Sequence, residues 1–76
     1  MSPAPNYGRR LAANLARLRK QHRYTQQQLA GMVGVKRALV GAWEEGRCTP
    51  RLAQLVKLRR VFGVSLDELI AEPVTN

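Results

Sequence analysis

The sequence predicts an all-α bundle of five short helices. Leucines recur at steps of four and three (Leu11, Leu15, Leu18), the spacing of one helix face. A Thr or Ser stands three residues ahead of a Gln or Glu at two places, Thr25 with Gln28 and Ser65 with Glu68, which is capping-box spacing. No stretch alternates with the period of two that a strand needs.

The opening "MSPAPN" has two prolines and no periodicity, so residues 1–7 are expected as a loose tail. Helix 1 is expected over about 8–22. Helix 2 opens at its cap Thr25, and Tyr24 just before the cap is placed to pack on Leu29 as a hydrophobic staple. Gly34 ends it, because a glycine supplies the left-handed conformation that a helix terminus often needs. Helix 3 follows over about 36–45 and stops at Gly46. Helix 4 is expected to take Thr49 as its cap and Pro50 in its first turn, where a missing N–H costs nothing. Its inner face would carry Leu52, Leu55, Val56, Arg59 and Phe62, with Gly63 at its end. Helix 5 is expected over about 66–71, with Val64 and Leu69 as a second staple. Residues 8–72 then form one domain, followed by a short tail at 73–76.

Seventy-six residues bury roughly 60% of the surface that the unfolded chain exposes, enough for one core and no deep cleft. No nucleophile–base or carboxylate pair presents itself, so an enzyme is not expected. The single cysteine, Cys48, excludes an internal disulfide, and one histidine leaves no credible metal-ligand set, so neither metal nor cofactor is expected. No apolar run approaches the ~18 residues of a membrane span, and the N-terminus lacks a signal-peptide pattern. The expected location is therefore the cytoplasm, in association with the nucleoid.

Charge is lopsided. The formal net charge is +8, and residues 1–43 hold Arg9, Arg10, Arg17, Arg19, Lys20, Arg23, Lys36 and Arg37 with no acid at all. From Glu44 onward five bases balance five acids. A one-sided positive field on a small domain favours a polyanion, nucleic acid before membrane, against the alternative of a merely solvated surface.

Little more than Gly34 and Val35 separates helices 2 and 3, too short a turn for an antiparallel hairpin. The second helix must cross the first steeply, which is helix-turn-helix geometry, and the small Ala30 lets it approach closely. Val35, Val40 and Trp43 anchor helix 3. Arg37 and Gly41 are four apart, as are Ala38 and Ala42, so these four are expected on one face.

The segments "TQQQLAGMVGV", "LVGAWEEGRCTP" and "FGVSLDELI" resemble the phage-repressor, Cro-like (XRE-type) helix-turn-helix family of bacteria and their viruses. The resemblance covers about residues 8–72. It implies a lambda-repressor-like five-helix bundle whose third helix enters the major groove of double-stranded DNA, usually in a dimeric transcriptional repressor.

On that basis a face of Arg37, Ala38, Gly41 and Ala42 would sit deep in the groove. Arg37 would read guanine through two parallel hydrogen bonds, or grip only phosphate, and Ala38 or Ala42 would touch a thymine methyl. Gln26, Arg47 and Arg51 match positions that contact the DNA backbone, each with a solvated surface residue as the alternative. Arg9 and Arg10 are vaguer candidates. Lys36 departs from the Ser or Thr usual at the helix 3 cap. It places positive charge at the positive end of the helix dipole, which is unfavourable unless a phosphate or base sits there. Arg23 departs from the glycine usual before helix 2, which implies local strain or a different turn. Arg19, at the edge of helix 1's apolar face, needs a partner, and matching residues in relatives point to Glu44.

One such domain covers only a few base pairs, and two-fold dimers read half-sites about 34 Å apart. A palindromic operator and a homodimer are therefore expected, with Val64, Leu66 and Ile70 at the interface. The competing function is an antitoxin or adaptor whose main partner is another protein. The bare, basic helix 3 favours DNA, because protein-binding helices usually present aromatic or leucine anchors. His22 is expected simply to close helix 1, and Cys48 to lie in a loop where an intersubunit disulfide is conceivable.

Overall fold

The computed structural model describes residues 6–72, which form five helices and, among the described residues, no strand: α1 Tyr7–Gln21, α2 Gln26–Val33, α3 Arg37–Glu44, α4 Leu52–Phe62 and α5 Leu66–Leu69. Of the tails expected at 1–7 and 73–76, residues 1–5 and 73–76 lie outside the described residues. Asn6 and Tyr7 belong to the fold instead, since the Asn6 side chain accepts a hydrogen bond from the Arg9 amide and caps α1.

One core joins all five elements. Leu11, Leu15 and Leu18 of α1 meet Leu29, Ala30 and Val33 of α2, Val40 and Trp43 of α3, Leu58 and Phe62 of α4, and Leu69 of α5. Burying each larger side chain stabilises the fold by roughly 1.5–3 kcal/mol. Ala30 is fully buried, as a close α2–α3 crossing requires.

The two capping boxes form as spaced. The Gln28 amide donates to Thr25 Oγ1 at 3.0 Å while the Thr25 amide donates to Gln28 Oε1 at 2.8 Å, and Ser65 and Glu68 repeat the exchange. Gly34, at φ 82°, ends α2 in the left-handed region, and the Lys57 ammonium adds a 3.3 Å hydrogen bond to the Val33 carbonyl there. Arg23 also adopts a left-handed conformation, at φ 59°, as the only non-glycine with positive φ among the described residues. His22 closes α1, its Nδ1 lying 3.0 Å from the Leu18 carbonyl and its ring against Tyr24 and Phe62.

Helix α4 corrects the expectation. Its cap is Arg51, not Thr49, and Pro50 stays outside the helix with its ring buried. The Arg51 amide donates to Gln54 Oε1 at 2.8 Å, so the glutamine supplies the back half of a capping box that the Thr–Pro pair concealed. The inner face turns accordingly. Leu58 and Phe62 are buried and Leu55 packs beside them, whereas Leu52 is 70% exposed. At the far end α5 is shorter than expected and closes on α1 through Asn14, a residue the sequence reading passed over. This buried side chain donates from Nδ2 to the carbonyls of Leu69 at 2.7 Å and Ala71 at 2.9 Å. It thereby satisfies backbone acceptors that a helix end leaves orphaned. A lone asparagine within the stripe of Leu11, Leu15 and Leu18 was the available signal.

Candidate nucleic-acid interface

α3 is held by Val40 and Trp43, both buried, with Val35 and Leu39 packed at the edge of the core. Its start is bare. Lys36 occupies the cap position with extended backbone, makes no side-chain cap hydrogen bond, and no acid follows in the first turn. Helix N-termini carry partial positive charge, so Lys36 and Arg37, both exposed, concentrate positive potential at this end. Ala38 is exposed beside them.

Behind this end a polar network ties three helices together. Arg19 of α1 grips Glu44 with two hydrogen bonds, Nε to Oε2 at 2.6 Å and Nη2 to Oε1 at 3.1 Å, and its Nη1 donates to the Tyr24 carbonyl at 2.9 Å. The two side chains are only 14% and 8% exposed. The hydrogen bond to Glu44 holds the Arg19 guanidinium further into its charged form. Burial opposes that shift, and the Glu44 charge adds to it. Removing one partner from such a pair strands the other and costs about 3–5 kcal/mol when burial is complete, somewhat less here. Glu44 Oε1 also accepts from Gln26 Nε2 at 3.1 Å, and Gln26 Oε1 accepts from Arg37 Nη1 at 3.1 Å.

The remaining site residues fall as follows. Gly41 is buried, and a Cβ placed on it would stand 3.7 and 3.8 Å from the Gln26 amide atoms. The expected four-residue face is therefore corrected: the helix turns about 40° between positions 37 and 41, enough to carry Gly41 from the open side into the α2 contact. Ala42 is half-buried. Gln26 is half-buried with its amide engaged on both sides. Arg47 is exposed and paired with Glu45 at 2.6 Å, an exposed pair of the kind that adds little stability. Arg51 and Arg9 are exposed, whereas Arg10 lies with its guanidinium 5.7 Å from the Tyr7 ring centre. Of the three residues expected at a dimer contact, Val64 and Ile70 pack against the core and Leu66 is 38% exposed. Cys48 is exposed and unpaired. Among the described residues no cluster of ligating side chains could hold a metal ion, and no helix is long and apolar enough to cross a membrane.

A short helix crossed over its neighbour, anchored from below and open and basic above, defines a helix-turn-helix domain. The family model described as "Helix-turn-helix" matches residues 15–69, and the chain belongs to that family, in its phage-repressor and Cro-like branch of transcriptional regulators. The curated relatives it matches are HTH-type transcriptional regulators. The chain is 38% identical over 56 residues to the HTH-type transcriptional regulator YobD of Bacillus subtilis, covering 74% of this chain and 50% of YobD. Across the first curated relatives it spans about half of their length or less. Among solved structures it is similar to the restriction-modification controller protein C.AhdI of Aeromonas hydrophila, at TM-score 0.74 and 28% identity, covering 80% of this chain and 92% of that one. It is also similar to the P22 c2 repressor, solved in complex with a synthetic operator, at TM-score 0.76 and 27% identity, covering 79% and 91%.

Proposed function

We propose that this domain is a sequence-specific repressor that binds double-stranded operator DNA as a homodimer, with α3 in the major groove. The observation that carries the reading is the start of α3, where Lys36 and Arg37 stand exposed on a helix end with no cap and no acid. In the free protein that arrangement is electrostatically unfavourable. Against phosphate and guanine it becomes favourable, because amides, ammonium and guanidinium then face acceptors. Arg37 is the base reader. Ala38, and Ala42 at its margin, are small enough for close approach to base edges, and Gly41 leaves that set.

Lys36, Arg47 and Arg51 act on phosphates, setting orientation and salt sensitivity without reading sequence. Arg47 exchanges Glu45 for phosphate at little cost, since its pair is exposed. Leu66, with the flanks of Val64 and Ile70, is the contact through which two copies would align on a palindromic operator. A place on the nucleoid follows from this reading.

The experiment is in vitro selection of the protein on a random duplex library at near-physiological salt. The expected result is a palindromic motif with guanine in each half-site. Arg37→Ala should erase the preference for that guanine, a loss of ~1–3 kcal/mol of discrimination. Strongly salt-dependent binding with no motif would overturn the reading and point to a protein partner instead.

A further inference from the structure

We propose that Glu45 is a second base-reading residue, which accepts a hydrogen bond from the exocyclic amine of a cytosine. This deepens the function given above and rests on it. Of residues 36–45, only Lys36, Arg37, Ala38 and Glu45 are exposed. Ala38, the half-buried Ala42 and Glu45 follow one another at steps of four and three, so they share one face of α3. Glu45 still has helical backbone, at φ −85° and ψ −6°, which keeps it in that row. With Gly41 turned into the α2 contact, the open face has a cation at one end, small residues along it and a carboxylate at the other. Glu45 lies about 12 Å along the helix from Arg37, against a base-pair rise of about 3.4 Å, so it faces a different base pair.

A carboxylate is out of place there on two counts. Glu44 and Glu45 are the only acids in residues 1–66, and Glu44 is occupied by Arg19 and Gln26. Glu45 is thus the one exposed acid of a stretch whose other charges attract a polyanion. It also sits at the negative end of the α3 dipole, with no base in the last turn to offset it. Its ion pair with Arg47 uses Oε2 and is exposed, and a carboxylate carries about four acceptor sites, so others stay open. Donors and acceptors then fix what it can meet on a duplex. Phosphate oxygens only accept, so every phosphate repels it. Guanine and thymine offer it acceptors in the major groove, and adenine sets an acceptor, N7, beside its amine. Cytosine is the base whose own edge offers a donor alone. The charge that weakens binding to most sequences is therefore offset where a cytosine amine meets it, and a repulsive element of that kind confers specificity.

The test repeats the selection on random duplexes with the unchanged protein, Arg37→Ala, Glu45→Ala and Glu45→Gln, at one salt concentration. The unchanged protein should prefer a C·G pair at a second position in each half-site, apart from the guanine read by Arg37. Glu45→Ala should erase that preference and leave the guanine in place. The loss of discrimination at that position should be about five- to tenfold, the low end for one side chain reading a base. Glu45→Gln should move the preference to adenine, whose N6 and N7 suit a glutamine amide. Both variants should bind an unrelated duplex more tightly, because a charge that repels phosphate is gone. Neither should lower the Tm, since α3 loses only an unfavourable charge. A motif unchanged in both Glu45 variants, with every duplex bound more tightly, would overturn the proposal and leave Glu45 as a repelling charge alone. Uniform weakening with a lower Tm would also overturn it and make Glu45 part of the fold. Should Arg37→Ala leave its guanine intact while the Glu45 variants shift their own position, readout by Arg37 fails and the assignment of Glu45 stands. A library from which the unchanged protein selects no motif would overturn both.

Discussion

Helices α2 and α3 are the same length, cross each other, and are built on opposite plans. α2 is closed at both ends by its own neighbourhood: a reciprocal capping box at Thr25 and Gln28, a left-handed glycine at Gly34, and the Lys57 ammonium on its last carbonyl. α3 has no side-chain cap and begins with two cations on the wrong end of its dipole. Isolated helices of this length are marginal in water, so α3 exists because Val40, Trp43 and the Glu44 network hold it. The difference separates two tasks. The self-sufficient helix is a platform, and the dependent one leaves its N-terminus free for an outside anion.

The comparison breaks most completely at Trp43. It is 2% exposed and is the largest fully buried side chain. Trp43→Ala removes the main anchor of α3, and a loss of about 3–5 kcal/mol is expected in urea unfolding, enough to unfold much of a small domain. α3 should lose its amide protection before α2 does, because α2 keeps its own caps. Equal loss of protection in both helices would show that the two are not independent in this sense.

How far the sequence disclosed this contrast depends on the range of each interaction. Both capping boxes and the glycine stops were legible, since they are contacts between residues three or four apart. The missing cap at Lys36 and the strain at Arg23 were legible as departures from a familiar pattern. The Arg19–Glu44 pair could be anticipated only through the resemblance, because residues 25 apart carry no mutual spacing signal. The place of Gly41 and the inward turn of the Gln26 amide were not legible. Both depend on the angle at which α3 crosses α2, which no local spacing encodes. At α4 the local signal misled: Thr49–Pro50 is a good helix start, but the buried Pro50 ring and the Gln54 contact placed the start two residues later.

Two substitutions of intermediate size would make the helices alike. Lys36→Ser gives α3 the cap that α2 has and removes the unfavourable charge, so a gain of roughly 1 kcal/mol in stability is expected by chemical denaturation. On the proposed function the same change should lower affinity for all duplexes and reduce the salt slope by about one, which binding at two salt concentrations would register. A stability gain without a change in slope would place Lys36 outside the phosphate contacts. Thr25→Ala does the reverse to α2, removing the acceptor for the Gln28 amide while leaving the Thr25 amide on Gln28 Oε1. About 1 kcal/mol of stability should be lost. Because α2 retains its glycine stop and Lys57, its C-terminal half should keep its amide protection.

The smallest expected effect lies in the turn that feeds α2. Arg23 sits at φ 59°, a conformation that costs a side-chain-bearing residue on the order of 1 kcal/mol and a glycine almost nothing. Arg23→Gly relieves that strain but also gives the unfolded chain more freedom, so the net gain should be only about 0.5 kcal/mol, seen as a modest rise in Tm. The backbone there is fixed from outside, since the Tyr24 carbonyl accepts from Arg19 Nη1 and the Tyr24 amide donates to the Arg19 carbonyl at 3.1 Å. Glycine should therefore enter without moving the cap at Thr25. A loss of stability would mean that the Arg23 side chain makes a contribution in the folded state larger than the strain it imposes. The platform helix would then depend on its entry turn as well as on its own caps.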